Sequence, residues 1–175
     1  LNYLKSGIVS SDLVTTVSET YAREILTDYY GYGLQRLLRS RGKQFIGILN
    51  GISYHDFNPS TDKLIRYNYD IETYQEGKQK NKVALQDLTG FEFPLDKPLL
   101  ALVSRLVSQK GMDLIKRIFD EMLAIDDFYF IVLGSGEIEY QDYFLGLMGR
   151  FPERVFVKIG YDDKLAHQIY AASDM

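Results

Sequence analysis

The chain has 175 residues, 46% of them hydrophobic and 25% charged, enough for one domain with a core or for parts of two. Its net charge of −4 excludes the basic footprint of a nucleic-acid binder, and the absence of cysteine excludes disulfides and any cysteine-built metal site. No apolar run approaches the ~20 residues of a membrane-spanning helix, residues 1–5 do not form a signal peptide, and the lack of cysteine suits a reducing cytoplasm as well as many other places.

In chain order, residues 13–17 read as a strand. Ser18 caps a helix running to Thr27, with Glu19 in the first turn, where a carboxylate meets the positive end of the helix dipole. The cluster Arg36, Arg39, Arg41 and Lys43 reads as a solvated helix face or a local anion patch. Residues 45–49 form a second short strand ending at Asn50-Gly51. The polar stretch 53–68, interrupted by Pro59, is a loop, and 70–88 is a highly charged helix stopped by Gly90. Residues 91–98 connect to a more regular half.

From Pro98 onward the pattern repeats. The unbroken apolar run 99–103 is expected of a strand buried on both faces. Met112, Ile115, Ile118, Phe119, Met122 and Leu123 follow at helical spacing. Residues 128–133 form the next strand, and a helix over 137–149 turns Tyr140, Phe144, Leu147 and Met148 inward. Residues 155–159 form a further strand, after which Asp162 caps a helix carrying Leu165 and Ile169. The order β-α-β-α-β-α implies an α/β fold with a parallel, Rossmann-like sheet and right-handed crossovers.

Ligands of such sheets bind beyond the carboxyl ends of the strands, so the residues just past each strand carry the functional reading. Past the first lie Arg105 and Lys110, five residues apart in a loop leading to a helix N-terminus. An arginine fork and a lysine charge there suit a diphosphate. The spacing alone also fits, and slightly favours, an Arg105 paired with an acid and a solvated Lys110. Past the second strand comes Gly134-Ser135-Gly136. These two glycines admit a ligand close to the backbone or simply make a tight turn; Glu139 stands where a dinucleotide fingerprint needs a third. Past the third lies Tyr161, placed to stack on a base or to pack as a surface aromatic. Cations, glycines and an aromatic thus fall at one edge of one sheet. No Asp-x-Asp occurs, against a metal-held diphosphate, and neither a nucleophile elbow nor a P-loop is present. His167, on the last helix, lacks metal-ligand spacing and reads as structural or superficial.

The run Ser104-Arg105-Leu106-Val107-Ser108-Gln109-Lys110-Gly111-Met112-Asp113-Leu114 resembles the S-R-L-x-x-Q-K-G-x-D-L motif of the bacterial glycogen synthases and starch synthases. Val14-Thr15-Thr16-Val17-Ser18, Gly31-Tyr32-Gly33-Leu34, Gly47-Ile48-Leu49-Asn50-Gly51-Ile52, Val132-Leu133-Gly134-Ser135-Gly136 and Ile159-Gly160-Tyr161-Asp162 agree in order and spacing, so the resemblance spans almost the whole chain. It implies a GT-B-type glycosyltransferase of two Rossmann-like domains. Residues 1–50 would be the tail of the N-terminal domain, 51–97 the interdomain connection and start of the second domain, and 98–175 the first half of the nucleotide-binding domain.

The resemblance further implies transfer of glucose from ADP-glucose to the non-reducing end of an α-1,4-glucan with retention. Arg105 and Lys110 would hold the diphosphate, Tyr161 would stack on adenine, Gly134, Ser135 and Gly136 would border the nucleotide, and Asn50 would sit near sugar or acceptor. Beyond ADP-glucose as substrate it implies no cofactor, no metal, no nucleic acid and no membrane. The family's K-x-G-G loop would lie upstream and its E-P-C-G-L segment downstream, which makes the chain an internal piece expected to be inactive alone. Ser53 stands where the family often has Asp. The alternatives are a related enzyme using UDP-glucose or another acceptor, and a non-catalytic nucleotide- or glucan-binding module.

Overall fold

The computed structural model describes residues 2–175 and divides into two compact units, Leu1–Ile52 and Ser53–Met175. In the first, α1 (Tyr3–Ser10) is followed by β1 (Val14–Val17), α2 (Glu19–Glu24), α3 (Gln35–Arg41), a 3-10 turn over Gly42–Gln44, and β2 (Phe45–Ile48). The strands pair in parallel, Val14 opposite Phe45 and Val17 opposite Ile48. Helix α1, which the sequence pattern does not announce, starts at Asn2, whose side chain accepts the Lys5 N–H at 3.0 Å.

Two sequence expectations change here. The helix capped by Ser18 ends at Glu24 rather than Thr27, because the chain breaks into turns in which the Thr27 N–H and hydroxyl both bond the Glu24 carbonyl. The basic cluster is also not simply a solvated face. On α3, Arg39 Nε donates to the Leu26 carbonyl at 2.6 Å, and the partly buried Arg41 guanidinium bonds the carbonyls of Ser11 and Asp12. The arginines tie turns to the helix.

The second unit holds α4 (Tyr74–Thr89), β3 (Leu99–Val103), a 3-10 turn over Ser108–Lys110, α5 (Met112–Ile125), β4 (Tyr129–Gly134), α6 (Ile138–Arg150), β5 (Val155–Ile159) and α7 (Asp163–Ala172). The sheet is parallel in the order β3-β4-β5. The apolar runs resolve into the two-residue alternation of a strand buried on both faces. Phe130, Val132, Val155 and Val157 join Phe119, Leu123, Phe144 and Leu147 in one layer, against α5 and α6. Ile131 and Leu133 join Leu85, Phe91, Phe93, Leu165 and Ile169 in the other, against α4 and α7. Each such fully buried large side chain contributes roughly 1.5–3 kcal/mol.

Helix α4 begins four residues later than the sequence pattern indicates. Asp70 instead folds the approach into a turn, its carboxylate accepting the N–H groups of Glu72 and Thr73 at 3.0 and 2.9 Å. Two of its lysines, one turn apart, face inward. Lys78 Nζ bonds the Tyr170 and Ser173 carbonyls at 3.2 and 2.7 Å, where the negative end of α7 favours a cation. Burial pushes the Lys78 ammonium below its ordinary value. Lys82, 2% exposed, lies 2.7 Å from Asp174 Oδ2, and the same oxygen accepts the Leu99 N–H at 2.8 Å. Met175 brackets Leu100 in the parallel-strand pattern, donating to the Leu99 carbonyl and accepting from Ala101 N–H at 2.8 Å. Among the described residues no helix is long and apolar enough to cross a membrane.

Replacing Lys82 by Met should lower stability by about 1–3 kcal/mol, since the Asp174 carboxylate loses its counter-charge. Urea denaturation of the variant against the parent chain measures this.

Candidate active site

The carboxyl ends of β3, β4 and β5 are locked together by backbone. Ser104 N–H donates to Leu133 O at 3.2 Å, Leu106 N–H to Ser135 O at 2.9 Å, Glu137 N–H to Leu106 O at 2.8 Å, and Gly160 N–H to Gly134 O at 2.9 Å. The approach is so close that a Cβ on Gly134 would collide with the Ser104 carbonyl, and one on Gly136 with the Leu106 backbone. This gives both glycines a reason that neither sequence reading had, the packing of one loop's backbone on the next. Leu106, wholly buried, anchors the first loop from below.

These loops surround a cleft of about 250 Å3 whose lining includes Ser104, Arg105, Gly134, Ser135, Gly160 and Tyr161. Of the residues singled out from sequence, Arg105, Gly134, Ser135 and Tyr161 therefore share one cleft. Gly136 sits in the same loop, bridged to Leu106. Lys110 is exposed at the end of the 3-10 turn before Gly111 and α5, outside the cleft lining. Asn50 is exposed and belongs to the first unit.

Arg105 is exposed and makes no ion pair or side-chain hydrogen bond among the described residues, which removes the reading of Arg105 as half of a structural ion pair. Lys110 is likewise exposed and unpaired among them. Tyr161 is 88% exposed, so it is not a packed aromatic. Gly160 at φ 140°, a backbone conformation that disfavours side chains, turns the chain out to it. The Tyr161 hydroxyl donates to Asp163 Oδ1 at 3.3 Å, and the Asp163 charge raises the phenol above its ordinary value.

Asp162 caps α7 as the sequence pattern indicates, Oδ1 accepting the Leu165 N–H at 2.9 Å while Oδ2 pairs with Lys158 at 2.7 Å. The Lys158 hydrogen bond, then the Leu165 amide, holds the Asp162 carboxyl below its ordinary value.

Sequence reasoning missed a second feature of this unit. His167 Nδ1 lies 2.6 Å from Asp62 Oδ2, both side chains buried, and the Phe57 ring stacks on the imidazole at 4.7 Å and 10°. The partners are 105 residues apart, and no local pattern signals the pair. Among the described residues no group of three His, Cys, Asp or Glu is arranged to hold a metal ion.

The Starch synthase catalytic domain family model matches residues 1–40. Glycogen synthase of Pseudothermotoga lettingae is 46% identical over 175 residues, all of this chain and 36% of that protein. Glycogen synthase of Lachnospira eligens is 47% identical over 173 residues, 99% of this chain and 36% of that protein. The catalytic domain of Starch Synthase IV from Arabidopsis thaliana, bound to ADP and acarbose, superimposes with a TM-score of 0.91 at 38% identity, covering all of this chain and 36% of that one. The chain is homologous to the glycogen and starch synthases. The family resemblance and the α/β fold with parallel sheets expected from sequence are thereby borne out. The chain spans about a third of the length of these synthases, 36% in each case.

Two outcomes are expected at this site. Gly136→Ala should cost about 1–3 kcal/mol through forced backbone displacement, read by thermal denaturation. Asp162 has a depressed folded value, so its stabilisation is present above the ordinary 3.8 and is lost as pH falls through the lower folded value. Asp162→Asn should therefore flatten part of the acid limb of the stability–pH curve and leave its slope near neutrality unchanged.

Proposed function

We propose that this chain carries the nucleotide side of a glucosyltransferase site, and that the whole protein transfers glucose from ADP-glucose to the non-reducing end of an α-1,4-glucan with retention of configuration. The observation that carries the proposal is the cleft at the carboxyl edge of β3–β5, where an exposed Arg105, without an ion pair among the described residues, and an exposed Tyr161 flank a glycine-bounded turn. The homologous starch synthase with ADP and acarbose supports the nucleotide and the glucan.

In this proposal Arg105 and Lys110 hold the diphosphate and Tyr161 stacks on adenine. Gly134, Ser135 and Gly136 border the nucleotide, and Asn50 lies near sugar or acceptor. As the glycosidic bond to the leaving ADP breaks, negative charge grows on its distal phosphate. In this proposal the two cations stabilise that charge more in the transition state than in the ground state, which is what accelerates the step. No cofactor beyond the sugar donor is assigned. The parallel-sheet half 98–175 is taken as the start of the nucleotide-binding domain, 51–97 as its connection, and 1–50 as part of the N-terminal domain. A cytoplasmic setting, suited to a cysteine-free chain, is part of the same proposal.

In the whole protein, Lys110→Ala should lower turnover by on the order of 10²–10³ with a smaller change in KM, the pattern of a lost transition-state contact. Unchanged turnover removes Lys110 from the chemistry. Calorimetric titration of ADP and then UDP into the chain, with an Arg105→Ala/Lys110→Ala control, tests the site. ADP heats that vanish in the control support the diphosphate assignment, and a preference for UDP overturns the choice of base.

A further inference from the structure

We propose that a second cleft of this unit, between the 53–69 segment and the first turns of α7, binds a neutral oligosaccharide. The cleft is about 440 Å3 and is lined by His55, Asp56, Asp62, Lys63, Asp163 and His167, among others. It is separate from the nucleotide cleft but adjacent to it. Asp162 and Ala166 face the nucleotide side of the first turn of α7, whereas Asp163 and His167 line this one.

The starting observation is a buried ring half used. His167 is 5% exposed, and its Nδ1 is committed to Asp62, itself 9% exposed. Asp62 Oδ1 also accepts the Leu64 N–H at 2.8 Å, so the carboxylate is fixed in place. A carboxylate only accepts, so Nδ1 donates to Asp62 and Nε2 is the ring position left for another partner. Nε2 makes no hydrogen bond among the described residues. It faces Asp163, whose Oδ1 is 4.0 Å away, beyond hydrogen-bonding distance, and which lines the same cleft. Phe57, stacked on the ring, holds this orientation. A side chain that is itself 5% exposed thus presents its unpartnered ring nitrogen to an open cleft.

The lining selects the ligand class. Three carboxylates, Asp56, Asp62 and Asp163, oppose an anion. No metal-holding group of three exists among the described residues. The carboxylates of Asp56 and Asp163 only accept, so the ligand must be rich in donors, and sugar hydroxyls are. Lys63 supplies a donor for ring or glycosidic oxygens, and the half-exposed Phe57 offers an apolar surface to a pyranose face. The choice of an α-1,4-linked probe rests on the glucan acceptor proposed above.

The chain has two histidines, so its imidazole spectrum is simple, and His55→Gln assigns it. Maltopentaose titrated into the 15N-labelled chain should shift the His167 Nε2 resonance, and Asp163→Asn should weaken that response about tenfold, the worth of one hydrogen bond to a charged acceptor. Inorganic phosphate should leave Nε2 unmoved. An unchanged Nε2 at saturating maltopentaose, an undiminished response in Asp163→Asn, or a shift with phosphate instead each overturns the proposal. ADP binding without a saccharide response discards this cleft and keeps the nucleotide site, while a saccharide response without ADP binding does the reverse.

Discussion

The ligand edge of the second unit depends on the contact between two backbones. Ser104 and Leu106 run so close to Gly134 and Gly136 that no side chain fits between them. Four backbone hydrogen bonds then fix the loops after β3, β4 and β5 to one another. Arg105 projects from the middle of this arrangement with buried Leu106 beside it, so its backbone is held while its exposed guanidinium makes no ion pair among the described residues. That combination suits a group which must meet a ligand's charge without first being released from a protein partner.

The strands and helices of the second unit were legible because burial on both faces demands apolar runs; 99–103 and 128–133 supply unbroken ones, and 155–159 one interrupted only by the exposed Lys158. The amphipathic spacing from Met112 to Leu123 is equally plain, since α5 buries one face on the sheet. The first unit was harder to read. Helix α1 buries only Ile8 and contains Ser6 and Gly7, so it carries no apolar stripe, and α3 is seven residues long, too short for a period to emerge. There hydrogen bonds from arginine to turn carbonyls replace core burial, and composition alone does not distinguish an arginine bound to a carbonyl from one in water.

The candidate site was legible to the extent that it follows from topology. Parallel strands present their carboxyl ends at one edge, so Arg105, the glycines and Tyr161 were bound to meet if the strands were correctly placed. The physical cause of the glycines was not visible, because it depends on how closely two loops approach. The Asp62–His167 pair was invisible for a related reason. Segment 53–69 looks like a polar loop, yet it buries Ile65 and a carboxylate against α7.

That pair has a consequence for how the chain comes to be folded. The β3-α5-β4-α6-β5 core is assembled from neighbours in sequence, whereas Asp62 finds its partner 105 residues later and Lys82 finds Asp174 92 residues later. During synthesis from the N-terminus, the 53–97 stretch leaves the ribosome well before α7 exists. Its apolar residues Ile65, Leu85, Phe91 and Phe93 have no complete surface to cover them until the last helix arrives. At 5–20 residues per second, that interval lasts on the order of 10 seconds, a window in which a chaperone has the same claim on α4 that α7 later makes permanent.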